Sequence, residues 1–228
     1  MKKLFALILC AVSLFVFCAA GTAETADADF LSQIPGTYVE LFPELSKEEY
    51  HDTWLSVVTP LVGEENAEDA ISMLLNMCMG SLYGGEAIAK YTDDPDSMQF
   101  NCYFLGGVAK MTIEGNTISG VDADGNEIFR HEYAPIEVEN NENGFLFYQS
   151  QDAESGQFTY FAFSPDTMAD TYHLEFRYAE DLSDLQSWFE GNYAYWNAAA
   201  IAENYDLETM QNVIALFVTE NLGGEEAA

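Results

Sequence analysis

Between residues 99 and 178 apolar and polar side chains alternate with a period of two. That is the pattern of strands that bury one face. Seven runs fit it, near 99–105, 108–114, 117–121, 127–134, 145–150, 157–163 and 171–178. Glu114-Gly115-Asn116 and Asp122-Ala123-Asp124-Gly125-Asn126 separate neighbouring runs with hairpin chemistry, because Gly and Asn tolerate positive φ. The stretches 140–144 and 152–156 supply further turns. Seven successive strands on short links predict an antiparallel meander, closed or nearly closed into a barrel.

On either side the period becomes helical. Ser46 and Glu49 have the spacing of a capping box before Tyr50, Trp54, Val57, Val58 and Leu61, one face of a helix near 46–62 that Pro60 ends or kinks. Asn66 is placed to cap a second helix near 66–82, with Ile71, Leu74, Leu75, Cys78 and Leu82 on one stripe and Gly84-Gly85 as its stop. Its Met73, Met77 and Met79 read as core filler rather than a soft-metal site. After the strands come a short helical run at 183–189 and a closing helix near 206–222, with Met210, Val213, Ile214, Phe217 and Val218 on one face. No internal repeat and no linker divides the chain.

The first residues read as a secretory signal. Lys2-Lys3 form a positive start, Leu4 to Phe17 is apolar but for Ser13, and Ala19 to Ala23 are small residues suited to cleavage. The apolar run is short for a membrane span, so no membrane insertion is expected of the mature chain. Bulky Phe17 stands before Cys18 where lipidation needs a small residue, so a lipoprotein is the lesser reading. The expected organisation is a signal peptide at 1–23, a loose polar lead at 24–40 and one domain at 41–228. The expected location is secreted or periplasmic.

Charge narrows the partners. Thirty-nine Asp and Glu against seven Lys and Arg give a net charge of −32. Such a surface repels nucleic acid and anionic lipid and attracts cations diffusely. Two cysteines lie beyond the signal, Cys78 on a helix pattern and Cys102 on a strand pattern. Export permits a disulfide between them, and two buried thiols fit the pattern equally.

The segment from Phe158 to Trp196 carries the candidate chemistry. In Thr171-Tyr172-His173-Leu174-Glu175-Phe176-Arg177-Tyr178 a strand places His173 and Glu175 on one face and Tyr172, Leu174 and Phe176 on the other. A His and a carboxylate two apart converge on one metal ion if a neighbouring segment adds a third ligand, and Asp166 is so placed. Arg177 shares the face, so a Glu175–Arg177 pair with a hydrogen-bonded His173 needs no metal and stands as the competing reading.

An ordered set of motifs joins this segment to the rest of the chain. Tyr50-His51-Asp52-Thr53-Trp54-Leu55-Ser56-Val57 with Pro60-Leu61 comes first. Then follow FAFS at 161–164, Asp166, His173-Leu174-Glu175, LSDLQSWF at 182–189, NYAYW at 192–196 and the closing helix. In this order the chain resembles the ZinT (YodA-like) family of secreted, lipocalin-like zinc- and cadmium-binding proteins over most of residues 40–222. The resemblance implies a mainly β fold, a calycin or lipocalin-like antiparallel β-barrel with flanking helices. It also implies a divalent metal, zinc first, as ligand, with a metal-importer component as a possible partner. The family binds zinc through three histidines. Here His173 remains, Asp166 stands near the first position and Glu175 replaces the last, which makes a harder site that discriminates less against manganese or iron(II).

Other chemistry is thinner. Asp122–Asn126 lacks the sixth-position Gly and final Glu of a calcium loop and reads as a turn. His131 reads as a packed, hydrogen-bonded histidine between Phe129 and Tyr133, and His51 as a surface residue. There is no nucleophile elbow and no phosphate-binding glycine loop, so an enzyme is not expected. The alternative to metal binding is a lipocalin-like domain holding a small apolar ligand, or nothing, in its barrel.

Overall fold

The computed structural model describes residues 30–139, 141, 144–164 and 172–223; the signal segment 1–23 lies outside them. Among the described residues eight strands pair in sequence order, each antiparallel to the next, and close on themselves. They are β1 (Gly36–Glu40), β2 (Lys110–Glu114), β3 (Thr117–Val121), β4 (Glu127–Ile136), β5 (Leu146–Ser150), β6 (Tyr160–Phe163), β7 (Leu174–Ala179) and β8 (Ala198–Ala202). Closure runs through β1 and β8, with Tyr38 opposite Ala202 and Glu40 opposite Ala200. The fold is the calycin-like antiparallel barrel that the alternation predicts.

Period-two alternation decides which residues fill the interior. Met111 and Ile113, Phe129 and Tyr133, Phe161 and Phe163, and Leu174, Phe176 and Tyr178 form one buried cluster with Trp196. Rings meet at every level, among them Phe129 on Phe158 at 3.8 Å and Tyr178 on Trp196 at 4.9 Å between centroids. Gly120 makes room for this packing: a Cβ there would lie 2.4 Å from the Phe129 ring. The barrel is therefore a packed core rather than an empty cup.

Helices flank the barrel. They are α1 (Phe30–Gln33), α2 (Leu41–Leu45), α3 (His51–Val62), α4 (Ala67–Met77), α5 (Gly84–Asp93) and α6 (Leu207–Leu222). Trp54 and Val58 of α3, Ile71 and Leu74 of α4, and Met210, Val213 and Ile214 of α6 bury their stripes against Ala199 and Ile201 of β8. Asp206 starts α6 by accepting from the Thr209 amide at 2.8 Å, a side-chain N-cap.

Several boundaries differ from the sequence pattern. Gly36–Glu40 is a barrel strand, and α1 adds Phe30 and Leu31 to the interior, so ordered structure begins before residue 41. The 99–105 run makes only single-residue bridges, Asn101 with Met79 and with Trp196, because it crosses between the helical layer and β8 instead of joining the ladder. Gly84 does not stop a helix but begins α5, in the left-handed region at φ 63° and against the Asn192 carbonyl, where a Cβ would meet that oxygen at 2.3 Å. The Ser46 hydroxyl donates to the Pro43 carbonyl instead of capping, and a 3-10 turn at Glu48–Tyr50 leads into α3. α4 ends at Met77, five residues before Leu82.

Candidate metal-binding site

β7 runs between β6 and β8, with Phe163 opposite Phe176 on one side and Ala199 opposite Glu175 on the other. Leu174, Phe176 and Tyr178 enter the barrel, so Glu175 and Arg177 must face outward. His173 precedes the strand and follows Tyr172, a non-glycine residue at φ 62°. Such backbone strain concentrates at functional sites.

His173 Nε2 lies 3.3 Å from Glu175 Oε1. Both side chains are largely shielded, at 17% and 10% exposure. The other carboxylate oxygen, Oε2, accepts from Asn197 Nδ2 at 3.1 Å. Asn197 is itself buried, and its Oδ1 is a buried atom without a hydrogen-bond partner. The backbone holds Asn197 in place, since its amide donates to the Asn101 carbonyl at 3.0 Å. Cys102 follows on the same segment, where its carbonyl accepts from the Ala199 amide. Its thiol is pushed well above the usual thiol range by its hydrogen bond with Cys78, by burial and by the nearby charge of Glu175.

Arg177 takes no part in this pair. Its Nη1 donates to the carbonyls of Leu185 (3.0 Å) and Ser187 (2.7 Å), its Nη2 to that of Tyr193 (2.8 Å), and the guanidinium lies over the Trp188 ring. Burial lowers its pKa to about 10, with Asp184 opposing the shift. The arginine thus organises the loop from Leu182 to Trp196 over the outer face of the barrel and leaves Glu175 facing His173.

Asp166, the third expected ligand, lies outside the described residues. Among the described residues no trio of His, Cys, Asp or Glu gathers in a metal-binding arrangement. Sequence reasoning missed Asn197, whose signal was slight: one polar residue between buried Trp196 and an alanine run. The other candidates settle as structure. Asp122 Oδ1 accepts from the amides of Asp124 and Asn126, which closes a turn. His131 Nδ1 pairs with Asp152 Oδ2 at 2.8 Å, and exposed His51 pairs with Glu68.

No protein-family model matches this sequence, and no curated protein matches it either. Solved structures do. The Zn(II)-bound ZinT-like domain of Streptococcus pneumoniae AdcA is similar with a TM-score of 0.51 and 15% identity, over 90% of this chain and 98% of that domain. The Zn(II)-bound AdcA of the same organism matches at a TM-score of 0.47 and 15% identity, over 91% of this chain and 38% of that protein. The fold of this chain is therefore that of a ZinT-like domain, as the motif order implied.

Proposed function

We propose that this protein binds a divalent transition metal, zinc in the first place, outside the cytoplasm, and that it holds or carries the ion rather than catalysing a reaction. The observation that carries the reading is the His173–Glu175 pair. An imidazole nitrogen and a carboxylate oxygen lie 3.3 Å apart, shielded from solvent, on a barrel that shares its fold with a Zn(II)-bound domain. The donor types fit the ion: neutral imidazole and carboxylate oxygen are ordinary zinc ligands at about 2.0–2.2 Å. His173 and Glu175 would bind directly, Asp166 would add the third ligand, and water would complete a tetrahedron. Cadmium is a natural competitor, and the two carboxylates admit manganese or iron(II) more readily than three imidazoles would.

Two further observations support this reading. The competing Glu175–Arg177 pair is not how Arg177 is used, because its guanidinium is spent on loop carbonyls. The barrel that would hold a small apolar ligand is filled by its own rings. The signal-like composition of residues 1–23 supports a location outside the cytoplasm, and no helix among the described residues is long and apolar enough to cross a membrane. A metal-importer component is the partner that this function would call for.

Isothermal titration of untagged, metal-stripped protein with zinc in high salt tests the proposal. One ion per chain should bind to the wild type, and His173→Ala should abolish that stoichiometric step while weak, salt-sensitive binding to the acidic surface persists. A one-to-one titration unchanged in His173→Ala would overturn it.

A further inference from the structure

The two cysteines of the described chain come from opposite layers of the molecule, Cys78 from the end of α4 and Cys102 from the segment that lies along β8. They are free thiols in this structure, and both are buried. The backbone aligns them. Met79 and Asn101 form an antiparallel bridge, the Gly80 amide donates to the Phe100 carbonyl at 2.9 Å, and the Phe100 amide donates to the Met77 carbonyl at 2.7 Å. Met79, one residue after Cys78, and Asn101, one before Cys102, are thus bridged, which brings both cysteines into one buried cluster, where a disulfide needs Cα atoms about 4.4–6.8 Å apart. The Cys78 thiol is the first cause that raises the pKa of Cys102, as expected of neighbouring sulfurs.

We propose that Cys78 and Cys102 are the two halves of an intramolecular disulfide that fastens α4 to the barrel face carrying Glu175. The position gives the bond that role. The Cys102 segment also holds Asn197, through the carbonyl of Asn101, and Asn197 holds the Glu175 carboxylate. A crosslink at Cys102 therefore fixes the backbone from which the His173–Glu175 pair is supported. This inference stands whether or not that pair binds a metal.

The chemistry needs a disulfide oxidant of the glutathione type. One cysteine, as thiolate, attacks a sulfur of the oxidant and forms a mixed disulfide, releasing one oxidant thiol. The second cysteine, as thiolate, then attacks the protein sulfur of that mixed disulfide and releases the second. The two protein thiols lose two protons and two electrons, and the oxidant disulfide gains both. Burial makes the folded dithiol slow to react, so the bond forms as the chain folds.

The full chain, denatured, reduced and refolded in a mixture of reduced and oxidised glutathione, is the material for the test. Trypsin places Cys78 and Cys102 on different peptides, 48–90 and 91–110, so a non-reducing digest reads their link directly and separately from Cys10 and Cys18. The expected result is a joined peptide two hydrogen masses lighter than the sum of its parts. Folded protein whose Cys78 and Cys102 both alkylate after denaturation, or carry glutathione, or join a second chain, would overturn the proposal. The urea midpoint should fall on adding reductant and should not respond to reductant in Cys78→Ala/Cys102→Ala. Equal wild-type midpoints with and without reductant would overturn the fastening role.

Discussion

Glu175 and Asn197 face each other across the outer side of the barrel, with the Asn197 amide nitrogen 3.1 Å from Glu175 Oε2, while Oε1 of the same carboxylate turns to His173. One oxygen is held and one is presented. Hydrogen bonds of this kind orient a metal-binding carboxylate and tune it. The arrangement depends on Arg177 being occupied elsewhere, since a guanidinium on the same strand face would otherwise claim both oxygens in a bidentate pair.

Asn197→Ala should therefore weaken zinc binding without abolishing it. Loss of such an orienting partner typically costs about 10–100-fold in metal affinity. Competition with a chromophoric chelator measures the change, and an unaltered far-ultraviolet circular dichroism spectrum separates it from unfolding. Affinity within twofold of wild type would remove Asn197 from the site.

Zinc binding should weaken as the pH falls through the range in which histidine protonates, about 6.5 for a free imidazole, because imidazolium cannot ligate. The sign follows from competition: each proton taken by His173 displaces the ion. Titrations across that range in constant high salt should show the loss in wild type, whereas diffuse surface binding would follow salt far more than pH.

Arg177→Ala should be strongly destabilising. It leaves the carbonyls of Leu185, Ser187 and Tyr193 without their donor and uncovers the Trp188 ring. Each buried carbonyl left without its donor costs roughly 1–3 kcal/mol. Urea unfolding should show it, with Arg177→Lys intermediate, because one ammonium cannot span three carbonyls in the plane of a guanidinium.

What the sequence made legible follows from side-chain size. Strands with bulky alternating residues, such as Phe161/Phe163 and Leu174/Phe176/Tyr178, announced themselves, and so did the face of β7 that carries Glu175. The two strands that close the barrel did not. β8 reads AAAIA, and alanine has little strand preference, so it serves here because small residues fit between the aromatic interior and the helices. β1 is five residues in a polar stretch and becomes a strand only through its neighbours β2 and β8. The His173–Glu175 contact was readable from spacing, whereas Asn197, brought in by β8 from 22 positions away, was a matter of tertiary structure.

The filled barrel makes its own prediction. Phe161 is fully buried among Phe129, Tyr133, Phe163, Phe176 and Tyr178. Phe161→Ala should cost about 3–5 kcal/mol, the loss of ring burial together with the cavity left behind. Wild type should not take up an apolar fluorescent probe in its interior. Stoichiometric uptake by wild type, displaced by fatty acid, would revive the small-ligand reading.

The last prediction concerns Glu40, whose Oε1 accepts from the Phe104 amide at 2.7 Å where β1 meets β8. Burial raises its pKa, with that amide pulling the other way. A carboxyl whose folded pKa lies above its unfolded value favours folding in its protonated form. That contribution is complete below the unfolded value, about 4.3, and is lost as the pH rises through the folded one. At neutral pH the ionised Glu40 therefore burdens the fold. Glu40→Gln keeps an oxygen for Phe104 and cannot ionise, so it should be more stable than wild type at about pH 7 and should converge with it at about pH 4. Urea unfolding of both proteins at the two pH values isolates the effect, since the remaining carboxylates titrate alike in each. A wild type more stable than the variant at neutral pH would mean that the hydrogen bond from Phe104 outweighs the burial.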